Sequence, residues 1–231
     1  MKISRSKVEL FLECPLCFAL DIKHRVSRPP GYPFSLNNAV DLLLKKEFDR
    51  YRALRQPHPL QAAEQLDFIP ADDARLERWR NAFAGGISYQ HPTHDCTYYG
   101  AIDDLWINDN GAYAVVDYKA TAGERPVSEL PAWASSYQRQ LSFYAWLLRR
   151  NGLQVIDIGY LIYATASTSR TGFDQRLDFD LRLIPITLDD HWIETTLDQM
   201  QNIIRSEALP PASQNCKHCQ YRAKASGVPV G

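Results

Sequence analysis

The sequence predicts a mixed α/β fold, a central mixed β-sheet flanked by helices, on three observations. Apolar residues recur at helical spacing near the start, the middle and the end of the 231-residue chain. Two β-rich runs meet at Asn108-Asp109-Asn110-Gly111, a tetrapeptide suited to a hairpin turn. The resulting order of helices, hairpin, helix, strands and helix suits neither a bundle nor a sandwich.

From Ser4 to about His24, Val8, Phe11, Leu12, Leu16 and Leu20 share one helical stripe, with Ser4 or Ser6 as N-cap and Pro15 kinking or dividing the helix. Arg28-Pro29-Pro30-Gly31-Tyr32-Pro33 reads as a loop. A second helix is predicted from about Leu36 to Arg52, with Val40, Leu44, Phe48 and Tyr51 on one stripe, and a shorter one from Asp72 to Phe83, ending at Gly85-Gly86. Thr97 to Ile107 and Ala112 to Lys119 are the arms of the hairpin. A loop through Pro126 and Pro131 leads to a long helix from about Ala132 to Arg150. Strands at about Val155 to Ala164 and Asp178 to Ile186 and a helix from about Asp190 to Arg205 complete the pattern, before a tail holding Pro210, Pro211 and a pair of cysteines. No internal repeat interrupts it, and the chain reads as one domain over residues 1–231.

With 45% hydrophobic and 23% charged residues the chain can bury one sizeable core, which excludes a fibre or a disordered chain. Charges at Lys2, Arg5, Lys7, Glu9 and Glu13 leave no apolar stretch of signal-peptide length. No segment approaches the ~18 apolar residues of a membrane span, so the expected location is the cytoplasm, with no membrane partner. The formal net charge of −1 means that any attraction to phosphate comes from local patches. One candidate is the basic run from Lys23 to Arg55, which a solvated helix face would explain equally well.

The hairpin carries the chemistry. If Asp109-Asn110-Gly111 is a three-residue loop with Gly111 left-handed, residues equidistant from Asn110 pair across the strands, and Asp103 faces Asp117. A tighter Asn110-Gly111 turn would put Asp104 there instead. Lys119, two residues beyond Asp117, falls on the same strand face. Two adjacent carboxylates repel unless a divalent cation sits between them, and hard oxygen ligands suit Mg2+ or Mn2+. Such a cation polarises a phosphodiester and lowers the pKa of a bound water, with a lysine to steady the developing charge. Taken alone, Asp117-Tyr118-Lys119 reads more readily as an ordinary strand end, and Asp103-Asp104 as an ordinary acidic edge, because short motifs match by chance very often. Two further features add weight: Gln140 and Tyr144, four apart on one helix face beside Leu141 and Leu148, and Asp41, a carboxylate leaning toward the Leu44 and Phe48 side, where it needs a partner.

Gly100-Ala101-Ile102-Asp103, Asp117-Tyr118-Lys119 and Gln140-x-x-x-Tyr144 together resemble the ordered pattern of RecB-like nucleases in the PD-(D/E)XK superfamily, CRISPR-associated iron–sulfur exonucleases among them. The opening Ser4-Arg5-Ser6 through Phe11, Cys14-Pro15 and Phe18 resembles theirs too. The resemblance implies a restriction-endonuclease-like core, Asp103 and Asp117 as metal ligands, Lys119 as the catalytic lysine, and Gln140 and Tyr144 as supporting groups. It further implies DNA as substrate, an exonuclease-like role in repair, recombination or defence, and room for protein partners in a repair or defence complex. Many relatives place a histidine after a glycine in the helix before the core. Here that stretch is Asn37-Asn38-Ala39-Val40-Asp41, which makes Asp41 the candidate third ligand and Glu47 the fallback. The competing reading is a catalytically inactive nucleic-acid- or protein-binding module; the intact Asp103, Asp117 and Lys119 set favours the enzyme.

Among five cysteines, Cys14-Pro-Leu-Cys17 and Cys216-Lys-His-Cys219 form two pairs near opposite ends of the chain. In a reducing compartment such pairs read as metal ligands, with zinc the default from spacing alone. The resemblance implies instead a 4Fe-4S cluster, which relatives hold with one N-terminal and three C-terminal cysteines. This chain would be a two-plus-two variant, with Cys17 compensating for the cysteine absent beyond Arg222. Cys96 reads as a strand-edge core residue and His218 as exposed.

Overall fold

Pro15 has no N–H to continue a helix through it, and the N-terminal apolar stripe is cut in two. In the computed structural model, which describes residues 1–31, 34–127 and 135–227, strand β1 (Lys2–Ser4) leads into helices α1 (Arg5–Glu13) and α2 (Pro15–His24), with an extended Cys14 between them. Ser4 occupies the N-cap position of α1, although its hydroxyl meets Ser6 Oγ at 2.8 Å rather than a backbone N–H. The stripe of Val40, Leu44 and Phe48 forms α3 (Ser35–Leu54). Then follow α4 (Pro59–Ala63), β2 (Ile69–Pro70), α5 (Leu76–Arg80), β3 (Ile87–Gln90) and β4 (Thr97–Gly100). The rest of the chain forms β5 (Asp104–Ile107), β6 (Tyr113–Gly123), α6 (Ser135–Arg150), β7 (Ile158–Ser167), β8 (Phe179–Thr187), α7 (His191–Arg205) and α8 (Lys217–Ala225).

Three expectations are corrected. The helix expected from Asp72 to Phe83 shrinks to α5, because Asp73 and Asn81 turn their side chains onto neighbouring backbone: Asp73 accepts from Arg75 N–H at 2.9 Å, and Asn81 from Phe83 and Ala84 N–H at 2.9 and 3.1 Å. The single strand expected over Thr97 to Ile107 is two strands in different sheets, since Ile102 N–H leaves the ladder to bond the Trp79 carbonyl at 3.2 Å. The tail carries a helix, α8, that its sparse apolar content does not announce. The expected helix start at Ala132 and the loop residues Tyr32, Pro33 and Pro131 lie outside the described residues.

Residue contacts gather into two compact units. The first comprises Met1–Tyr32, Gln90–Tyr98 and His191–Gly231. Here α1 and α2 pack on α7, burying Val8, Phe11 and Phe18 with Ile193, Leu197 and Met200. Burial of such side chains stabilises by roughly 1.5 to 3 kcal/mol each before chain entropy is counted. His91 and His94 stack at 3.8 Å and bond Glu194 and Asp198 of α7, fastening the segment before β4 to that helix.

The second unit comprises Pro33–Tyr89 and Tyr99–Asp190. Its five-stranded sheet has the order β2-β5-β6-β7-β8, antiparallel except for the parallel β6–β7 pair. A parallel pair needs a crossover, and α6 supplies it. Residues alternate across the sheet. Ala114, Val116 and Tyr118 of β6 pack with Leu44 and Phe48 of α3 around the buried Trp106, whereas Val115 points the other way, toward Leu141 of α6 across Gly159. Among the described residues no helix is long and apolar enough to cross a membrane.

Candidate functional site

The hairpin takes the longer-loop register. Asp104 pairs with Val116 and Ile107 with Tyr113, Asn108 N–H bonds the Ala112 carbonyl at 3.0 Å, and Gly111 is left-handed at φ +74. Strand alternation then separates the two neighbouring aspartates. Asp104 faces α3 and is fully buried, held by the guanidinium groups of Arg52 and Arg80, by Tyr118 OH at 2.7 Å and by Leu105 N–H at 2.8 Å. Asp103 lies just before the strand and turns to the sheet end, where its Oδ2 accepts from Tyr118 N–H at 3.0 Å and its Oδ1 from Lys45 Nζ at 2.9 Å. Arg80 Nε also holds the Asp103 carbonyl at 2.8 Å, so one guanidinium fixes both residues.

Asp117 is 2% exposed. The Lys119 ammonium pairs with its Oδ2, and Gln140 Nε2 donates to its Oδ1 at 2.8 Å. The same Gln140 nitrogen lies 3.2 Å from Tyr144 OH, and Lys119 Nζ lies 3.4 Å from Gln140 Oε1 and 5.0 Å from the centre of the Tyr137 ring. The i, i+4 pair on α6 therefore faces β6. Gly100 is what lets Tyr144 lie flat there: a Cβ at this position would stand 2.6 Å from Tyr144 Cε1. Gly100→Ala is accordingly expected to displace the Tyr144 ring and lower activity about tenfold or more while the chain stays folded, a loss of the size produced by misplacing a positioning group. Steady-state kinetics and circular dichroism on one preparation check it.

Asp41, the candidate third ligand, bonds Lys45 one turn along α3 at 2.8 Å, and Lys45 bridges it to Asp103. Burial, then the neighbouring Asp103, pushes the Asp117 carboxyl up to about 7 and raises Asp41 as well. For Asp103 burial works in the same direction but is outweighed by the Lys45 charge and the Tyr118 N–H, and its carboxyl is held below the usual range. Burial likewise opposes the charge on Lys45 and Lys119, yet their acid partners raise both. A cavity of about 470 Å³ opens beside these groups, lined by Phe34, Asp41, Tyr118, Lys119, Tyr137 and Tyr163.

Three carboxylates with two ammonium groups between them form a donor set suited to a hard divalent cation. Lys45 stands between Asp41 and Asp103, and Lys119 pairs with Asp117. Glu47, the fallback ligand, is engaged elsewhere, with His58 Nε2 at 2.9 Å. The basic run is not one open patch either. Lys45 and Arg52 turn inward onto carboxylates, while Lys46 and Arg50 stay exposed. Sequence reading missed Lys45 and Arg80. The i, i+4 spacing of Asp41 and Lys45 was the available signal for the first; nothing in the sequence marks Arg80, whose hydrogen-bond partners Asp49, Asp103 and Asp104 lie outside its own helix.

In the first unit Cys14, Cys17, Cys216 and Cys219 are buried, and their sulfurs all lie within 4.8 Å of one another. Ser213 N–H and Arg28 Nη2 lie 3.5 Å from Cys14 and Cys216 Sγ respectively. Burial would raise the Cys14 thiol, but hydrogen bonds from the Ser213 and Cys17 N–H groups and the neighbouring cysteine sulfurs together outweigh it and bring the group down to about 6, while burial pushes Cys219 up. Cys96 is buried just before β4, where its sulfur accepts from Gln201 Nε2 at 3.0 Å, and His218 is exposed.

A mixed sheet with α3 on one face and α6 on the other, carrying Asp117 and Lys119 on β6 beside Asp103 just ahead of β5, is the α/β architecture of a nuclease-type fold. The family model of the PD-(D/E)XK nuclease superfamily matches residues 2–224, and the chain belongs to that superfamily. Its members are metal-dependent nucleases, which implies hydrolysis and a nucleic-acid substrate. No curated protein matches the chain. Among solved structures it is similar to the crystal structure of SSO0001, at 15% identity over 96% of this chain and 84% of that one, with a TM-score of 0.47.

Proposed function

We propose that this chain is a RecB-like deoxyribonuclease that hydrolyses phosphodiester bonds with Mg2+ or Mn2+ held by Asp103, Asp117 and Asp41. The observation that carries the reading is that Asp103 and Asp117 lie side by side with Lys119 on the second of them. When bound, the cation supplies Lewis acidity toward the phosphodiester and toward a water. The residues around it do the remaining work. Tyr118 N–H aims the Asp103 carboxylate, and Gln140 holds Asp117 in one orientation. Lys119, exchanging its partner Asp117 for the substrate, stabilises the charge that develops at phosphorus. Tyr144 supports Gln140, and the aromatic cavity beside Lys119 gives the nucleotide a surface to lie against.

The reading includes exonuclease-like action in repair, recombination or defence, with protein partners in such a complex. Reduced, clustered cysteines suit the cytoplasm. The test is a cleavage assay on linear, circular and single-stranded DNA and on RNA, with manganese and with chelator. Manganese-dependent loss of linear DNA with circular DNA spared is the expected result. No cleavage of any substrate by folded, metal-loaded protein that still binds DNA would make the chain a binding module instead.

A further inference from the structure

Cys14 and Cys216 are the N-cap residues of α2 and α8, and Cys17 and Cys219 fall in the first turns of the same helices. Each pair thus presents two sulfurs at a helix N-terminus, where unpaired N–H groups and the helix dipole favour thiolate. The sulfurs approach closely: 3.5 Å for Cys17 and Cys219, 3.6 Å for Cys17 and Cys216, 3.8 Å for Cys14 and Cys219.

Those spacings discriminate between metal centres. Four thiolates on one zinc ion, with Zn–S bonds of about 2.3 Å, occupy tetrahedron corners about 3.8 Å apart. In a 4Fe-4S cluster each cysteine binds a different iron, so two cysteine sulfurs are separated by two Fe–S bonds and the iron–iron edge between them. That separation lies well outside the 4.8 Å that encloses all four sulfurs here. We propose that the quartet holds a single tetrahedral zinc ion and not an iron–sulfur cluster. The Arg28 guanidinium and the Ser213 N–H, each donating to a sulfur, temper the excess negative charge of four thiolates on a divalent ion. The inference uses no residue of the proposed nuclease site and stands whether or not the chain cleaves DNA.

The test uses the full chain, purified anaerobically from cells supplied with both iron and zinc. Elemental analysis is expected to return equimolar zinc without acid-labile sulfide, and X-ray absorption at the zinc edge four sulfur neighbours at about 2.3 Å. Cys216→Ser should lose most of the zinc, whereas Cys96→Ser should retain it. Because Cys216→Ser can also unfold the chain, the measurements on unaltered protein decide. Iron with sulfide and absorbance near 400 nm, iron without sulfide, or folded metal-free protein whose four thiols all alkylate would each overturn the proposal.

Discussion

Lys119→Ala is expected to lower the turnover of DNA cleavage by about 10²- to 10³-fold, the loss seen when one preorganised charge-stabilising donor is removed. Its ammonium sits on Asp117 and 3.4 Å from Gln140 Oε1, on a stretch of β6 that lies beyond the β5 pairing and is paired with β7 through Tyr163. A group so placed acts mainly on the transition state, so KM and DNA affinity should move little while kcat falls. Removing the lysine also frees a carboxylate lone pair for the cation, and manganese affinity should hold or rise. Stopped assays for turnover and fluorescence anisotropy for DNA binding separate these effects. A Lys119→Ala protein with unaltered kcat would remove this residue from the chemistry.

Asp104→Ala is expected to lower stability by about 3 to 5 kcal/mol, the range for breaking a buried ion pair by deleting one partner. Its carboxylate has no exposure and carries four donors; without it Arg80, only 8% exposed at the side chain, keeps Asp49 and the more distant Glu77. Chemical denaturation read by fluorescence measures the loss. A drop under about 1 kcal/mol would show that the guanidinium groups relax to water instead, as exposed pairs do.

Asp103 and Asp104 also show how far the sequence could be read. The hairpin register was legible because turn chemistry and strand period are local rules: Asn108 to Gly111 set the loop, and the loop set which residues face each other. The inward lean of Asp41 and the pairing of Gln140 with Tyr144 followed from helical spacing in the same way. Short elements were not legible. The strand β2, the helix α4, capped by the unexpected residue His58, and the contracted α5 are too brief to show a period, and capping and tertiary contacts define them. The Arg52–Asp104–Arg80 network was beyond reach for another reason, since its members come from α3, β5 and α5 and meet only when the sheet is built. The cysteine pairs marked a candidate metal site by their spacing, and the four sulfurs do gather, but spacing along the chain says nothing of the sulfur separations on which one ion and a cluster differ.

Calorimetric titration of manganese distinguishes the cation ligands in four proteins: the unaltered chain, Asp103→Asn, Asp117→Asn and Asp104→Asn. A cation site is expected in the unaltered chain and weakens at least about tenfold in the Asp103 and Asp117 variants, because each loses a charged oxygen ligand. It persists in Asp104→Asn under conditions where that variant is folded. Manganese affinity unchanged in both Asp103→Asn and Asp117→Asn, or lost in Asp104→Asn alone, would contradict this ligand assignment.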